Sequence, residues 1–162
     1  MDLSSFREVF AAEARDYLQS LNEDLLSLEK NPQDPSILDN MFRAAHSLKG
    51  MAGTMGFDEL AEFTHEMESV LDLLRTGELV PSRDVINVLF GAVDTLELLL
   101  EQTINEQPIG AYGEQMAALR GLISAPPSTV LAEDEEKVYA VELKEFNRET
   151  IKQGVSQGYR AF

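Results

Sequence analysis

Four successive runs in this chain repeat apolar residues every three or four positions, and no segment before Ser124 alternates them every second position. Spacing of three and four matches the 3.6 residues of a helical turn, so each run carries one apolar stripe that must find a neighbour. The first run, about Ser4 to Lys30, places Phe6, Val9, Phe10, Ala14, Tyr17, Leu18, Leu21, Leu25 and Leu28 on that stripe. Ser4 or Ser5 is the expected N-cap, and Asn31-Pro32 stops the helix.

Asp34-Pro35 opens the second run, with proline at the first helical position. Ile37, Leu38, Met41, Phe42, Ala45 and Leu48 mark its buried side, and it decays among the glycines of Gly50 to Gly56. The third starts near Asp58, with Leu60, Phe63, Met67, Val70, Leu71 and Leu74 in its stripe and Gly77 as a left-handed cap. Pro81-Ser82 leads into the fourth, from Val85 to Thr103, and a shorter fifth covers about Tyr112 to Ser124.

Long amphipathic segments with short connections predict an all-α domain over 1–124, an antiparallel four-helix bundle with an additional C-terminal fifth helix. The Pro- and Glu-rich stretch 125–136 reads as a linker. Beyond it the pattern changes: Val138 to Leu143 reads as a strand, and Phe146 to about Gln157 reads as a helix. One strand and one helix do not make a domain, so 137–162 is expected to be a partial α/β segment, the truncated start of a second domain.

Composition narrows the function. The formal charge is −16, and Glu135 to Phe162 holds five acidic and five basic residues, so residues 1–134 carry all of it. Such a surface repels phosphate backbones and argues against nucleic acid as a partner. The chain has no cysteine, which excludes a disulfide framework and a thiolate metal site. With no basic, apolar start and no long apolar run, a cytoplasmic protein without membrane insertion is expected.

One window breaks the acidic pattern. No carboxylate lies between Asp39 and Asp58, and the titratable groups inside are Arg43, His46 and Lys49. At about 100° per residue, Gly50 and Gly53 fall within about 40° of His46, while Lys49 and Arg43 flank it by about 60° on either side. The glycines either end the helix or leave room for another protein to approach closely. His65 and Glu68 share a face of the third helix. If helices two and three form an antiparallel hairpin turning near residue 56, the chain's two histidines lie level and Glu68 reaches either ring. A carboxylate bonded to one ring N–H fixes the tautomer and makes the other nitrogen a better nucleophile toward phosphorus. The expected roles are His46 as nucleophile, Glu68 as its orienter, Lys49 as electrostatic support and His65 as a supporting partner, with Arg43 a second flanking cation able to offset phosphoryl charge.

Phe42-Arg43-Ala44-Ala45-His46-Ser47-Leu48-Lys49-Gly50-Met51-Ala52-Gly53-Thr54-Met55-Gly56-Phe57 resembles the H-box of the histidine phosphotransfer (HPt) domains of the CheA family of chemotaxis histidine kinases. Leu60 to Glu68 is similar to that family's third helix, and the likeness covers about residues 3–105. It implies that His46 is the phosphorylated residue and that Lys49, His65 and Glu68 support it. It also implies a two-component phosphorelay. A separate kinase catalytic domain of the same family, which binds the ATP, charges the histidine, and the response regulators CheY and CheB receive the phosphoryl group on an aspartate. Val138 to Ile151 is similar to the opening of the regulator-binding domain that follows in that family. The chain itself is then expected to be a phosphoacceptor that is not an enzyme on its own and holds neither cofactor nor metal.

Two other readings compete. Glu62-Phe63-Thr64-His65 fits the Glu-x-x-His pattern of carboxylate-bridged metal sites, but those need a second copy and the sequence has no other. A helical module that only binds partners shares the same fold, since bundles host many functions.

Overall fold

The computed structural model describes residues 3–124, and the expected linker at 125–136 and segment at 137–162 lie outside them. Five helices follow in order: α1 Leu3–Lys30, α2 Pro35–Thr54, α3 Asp58–Thr76, α4 Arg83–Ile104 and α5 Gly113–Ser124. The described residues contain helices and no strand, the all-α architecture that the three-four spacing predicts.

The first four helices close a ring in which α1 touches α2 and α4, and α3 touches α2 and α4. Ion pairs show the antiparallel sense. Arg7 near the start of α1 meets Glu106 just past the end of α4, and Arg15 meets Glu101 at 2.9 Å. The core fills the ring with Leu21, Leu25 and Leu28 from α1, Met41 and Leu48 from α2, Phe63 and Met67 from α3, and Leu89 and Leu96 from α4. All are fully buried, and each such side chain contributes roughly 1.5–3 kcal/mol through removal from water.

Local chemistry sets the helix ends. Asp34 caps α2: its Oδ1 accepts from the Ser36 backbone N–H at 3.0 Å and the Ser36 hydroxyl at 2.7 Å. Those bonds to the charged form hold its carboxyl below the usual range. Gly77 ends α3 at φ 84°, in the left-handed region where glycine carries no steric penalty. Ser82 caps α4 by accepting from the Val85 N–H. Tyr112, just before the fifth helix, meets Phe63 of α3 edge-on, and Arg120 of α5 reaches Glu62 and Glu66 of α3.

Three local expectations change. The first helix already includes Leu3, so Ser4 and Ser5 lie inside its first turn; a serine fits there as well as at a cap, because free backbone N–H groups remain within reach. The second helix, expected to decay among Gly50 to Gly56, stays helical through Gly50 and Gly53 and ends at Thr54 inside that stretch. Phe6 and Val9, read as core, are about half exposed. They share an open groove with Gly50, which offers no side chain to cover them.

Candidate functional site

The hairpin of α2 and α3 builds the site. After Thr54, the Met55 N–H returns to the Met51 carbonyl and the Phe57 N–H to the Ala52 carbonyl. Gly56 between them takes φ 77°, which only glycine adopts cheaply. The Phe57 ring then packs edge-on against Phe10 of α1, with centroids 5.1 Å apart, tying the turn to the bundle. The return path pairs His46 with Glu68 and Asp39 with Arg75. Both pairs are centred on Phe57, one residue from the expected turn.

Glu68 is the junction. It is 7% exposed, an unusual position for a carboxylate, and both of its oxygens are engaged. Oε2 accepts from His46 Nδ1 at 2.5 Å, and Oε1 accepts from Lys49 Nζ at 2.6 Å. Burial pushes its carboxyl up, but the bonds from Lys49 and His46, with the charge of Lys49, outweigh that and hold it below the usual carboxylate range. Glu68 is therefore charged at neutral pH. A charged carboxylate only accepts, so the proton in the 2.5 Å contact sits on His46 Nδ1 and the lone pair on Nε2. The imidazole is 63% exposed, which leaves Nε2 open to another molecule.

The other expected residues are placed less evenly. Lys49 is bonded to Glu68 and is 30% exposed, so its cation is spent first on the carboxylate. His65 Nδ1 lies 3.7 Å from Glu68 Oε1, beyond hydrogen-bond distance, on an exposed ring. Arg43 does not support the histidine directly: its Nε donates to Asp39 at 2.9 Å, because a carboxylate one turn back is its nearest partner. Glu62, the other half of the Glu-x-x-His pattern, pairs with Arg120 at 3.2 Å. Among the described residues no group of three or more histidines and acids is arranged to hold a metal.

Two features had weak sequence signals. Phe42, assigned to the core, is half-buried and stacks on His46, with planes 15° apart and centroids separated by 6.1 Å. Its position one turn before the histidine was the available clue. The second is the groove, an apolar trough between α1 and α2 lined by Phe6, Val9 and Phe10 on one side and Met51 and Met55 on the other, with His46 on its rim. Glu13 of α1 also lines it, so the carboxylate-free window of the sequence is not wholly free of carboxylate in space.

Comparison with known proteins places the chain in a family and agrees with the fold. The chain matches the family model described as Hpt domain over residues 5–124. The chemotaxis protein CheA of Bacillus subtilis (strain 168) is 34% identical over 166 aligned residues, covering 100% of this chain and 25% of that protein. The chain thus spans about a quarter of the length of that curated relative. Among solved structures, a histidine phosphotransfer domain of CheA superposes with a TM-score of 0.68 at 35% identity, covering 76% of this chain and 96% of the other. The CheA phosphotransferase domain of Thermotoga maritima gives a TM-score of 0.61 at 39% identity, over 64% of this chain and 99% of that one. Among the described residues no helix is long and apolar enough to cross a membrane.

Proposed function

This chain belongs to the Hpt family of histidine phosphotransfer domains, and we propose that it relays a phosphoryl group through His46 in a two-component chemotaxis pathway. The observation that carries this reading is the Nδ1 bond of an exposed imidazole to a buried, charged Glu68. It presents a basic Nε2 to solvent in one tautomer. In the first step Nε2 attacks the γ-phosphorus of ATP held by a separate kinase catalytic domain. The N–P bond forms, the bond to the bridging oxygen breaks, and ADP leaves. In the second step an aspartate oxygen of a response regulator attacks phosphorus and the N–P bond breaks, returning His46 to its neutral form. The imidazole is nucleophile in the first step and leaving group in the second, and the chain itself binds no ATP.

Glu68 stabilises the positive charge that develops on the ring as Nε2 bonds to phosphorus. Lys49 holds Glu68 and places a cation beside the incoming phosphoryl oxygens. The groove on the rim of His46 favours a protein as the other reactant, because a small phosphodonor has no use for an apolar trough bounded by half-exposed Phe6 and Val9. The proposed partners are the kinase catalytic domain of the family and the regulators CheY and CheB, acting in the cytoplasm. On this reading 1–124 is the phosphotransfer domain, 125–136 a linker and 137–162 the opening of a regulator-binding domain.

The relay is tested by charging the purified chain with a kinase catalytic domain and labelled ATP, removing the nucleotide, and adding CheY. Label should leave the chain and appear on CheY. Label retained on the chain, with none passing to CheY or CheB, would contradict the relay.

A further inference from the structure

One bond to Nδ1 fixes one atom of the His46 ring and leaves the plane free to tilt about it. The imidazole is 63% exposed, so the bundle core does not supply the second restraint. Phe42 does, with its ring within 15° of parallel to the imidazole. Phe42 is covered in turn. The guanidinium carbon of Arg75 sits 4.1 Å from its ring centroid, close enough for a cation–π contact. Arg75 comes from the far end of α3 and is held by Asp72 at 2.7 Å and by Asp39 at 3.7 Å. Arg43 holds Asp39 from the other side at 2.9 Å. An ordered path of alternating charges therefore ends on the aromatic ring that lies along the reactive histidine.

We propose that Phe42, fixed by Arg75, is a positioning residue for phosphoryl transfer, holding the plane of the His46 imidazole while Glu68 holds its Nδ1. The inference rests on the phosphotransfer reading for its kinetic consequence and on the geometry alone for its structural one. In-line attack on phosphorus needs the Nε2 lone pair aimed along one direction, and a bond at the opposite side of the ring does not set that direction by itself. The stack sets it. The network also gives Arg43 a place: it acts on His46 through three intermediates, Asp39, Arg75 and Phe42. A role for Phe42 in packing alone predicts lost stability and an unchanged histidine.

The test uses four variants, with the chain as the varied substrate of a kinase catalytic domain. Phe42→Leu should lower kcat about two- to tenfold with KM unchanged, the size expected when one ring stack is lost. Phe42→Tyr, which keeps the ring, should restore it. Arg75→Gln removes the cation from a partly exposed position, so folding is not at stake; it should lower kcat in the same direction, and Arg75→Lys should recover part of the loss. Nitrogen NMR of the His46 ring reads the geometry without any kinase. The wild type should show one tautomer with a protected Nδ1–H, and Phe42→Leu and Arg75→Gln should broaden that signal or speed its exchange. Wild-type kcat together with a wild-type His46 ring signal in both Phe42→Leu and Arg75→Gln would overturn the proposal while leaving the relay intact. A wild-type chain that takes no label at His46 would overturn the relay, and the ring signals would still decide the positioning claim.

Discussion

Replacing Glu68 by glutamine changes the site at one point and nearly preserves its volume. The carboxylate now accepts from His46 Nδ1 at 2.5 Å and from Lys49 Nζ at 2.6 Å. Glutamine offers one acceptor in place of two. If its carbonyl faces His46, the ring stays oriented but the bond becomes neutral. If its amide faces His46, Nδ1 must accept, the ring proton moves to Nε2, and the attacking nitrogen is blocked. Either way one charge-assisted bond to the imidazole is lost, worth about 1.5–3 kcal/mol. At about 1.4 kcal/mol per tenfold, phosphorylation should slow by about 10- to 150-fold. The assay is the initial rate of label incorporation from a kinase catalytic domain and labelled ATP, with circular dichroism on the same samples. Lys49 can reach water, so the bundle should lose only about 1–2 kcal/mol and stay folded at room temperature. The stability difference also has a pH signature. Folding holds the Glu68 carboxyl below its ordinary value of 4.5, so its contribution is complete above that pH and is lost as acid titrates the folded form. The gap between wild type and Glu68→Gln should therefore narrow below about pH 4.5. A folded Glu68→Gln protein labelled within about twofold of wild type, well short of one lost charged bond, would refute this account of the histidine.

Gly50→Leu should separate stability from function: its Cβ meets open space and helix propensity improves by about 0.5–1 kcal/mol, yet transfer to a regulator should fall because the side chain fills the groove beside His46. Thermal melting and label transfer read the two effects, which should have opposite signs. Phe63→Ala empties the centre of the bundle beneath Tyr112 and should cost about 3–5 kcal/mol in urea unfolding. Lys49→Met removes the strongest partner that lowers the Glu68 carboxyl, so carbon NMR should show that group titrating higher than in wild type, and labelling should slow by about tenfold.

The helices were legible because burial imposes a period, and Asp34, Gly77 and Ser82 mark ends by mechanisms that need only local sequence. The meeting of His46 with Glu68 was legible for a related reason: a tight hairpin converts distance from the turn into height along the partner helix. What period cannot tell is whether an apolar stripe is covered along its whole length. Phe6 and Val9 share the stripe of Phe10, yet only Phe10 is buried, because the turn residue Phe57 reaches it. Single-helix angles also misplaced Arg43. It lies on the correct side of His46 but has a carboxylate one turn away, and the nearer opposite charge takes it. Phe42 was assigned to the core because aromatic residues on a helical stripe usually belong there. Its contact with Arg75 depends on where α3 ends relative to α2, a relation between helices that neither segment encodes alone.

The central claim is that His46 carries the phosphoryl group, and it is tested most directly by labelling wild type and His46→Gln side by side with a kinase catalytic domain and labelled ATP. The account predicts label on the wild type that is lost in acid and survives alkali, as a phosphorus–nitrogen bond does, and none on His46→Gln. Equal labelling of the two proteins, or label that survives acid, would place the phosphoryl group on another residue and contradict the account.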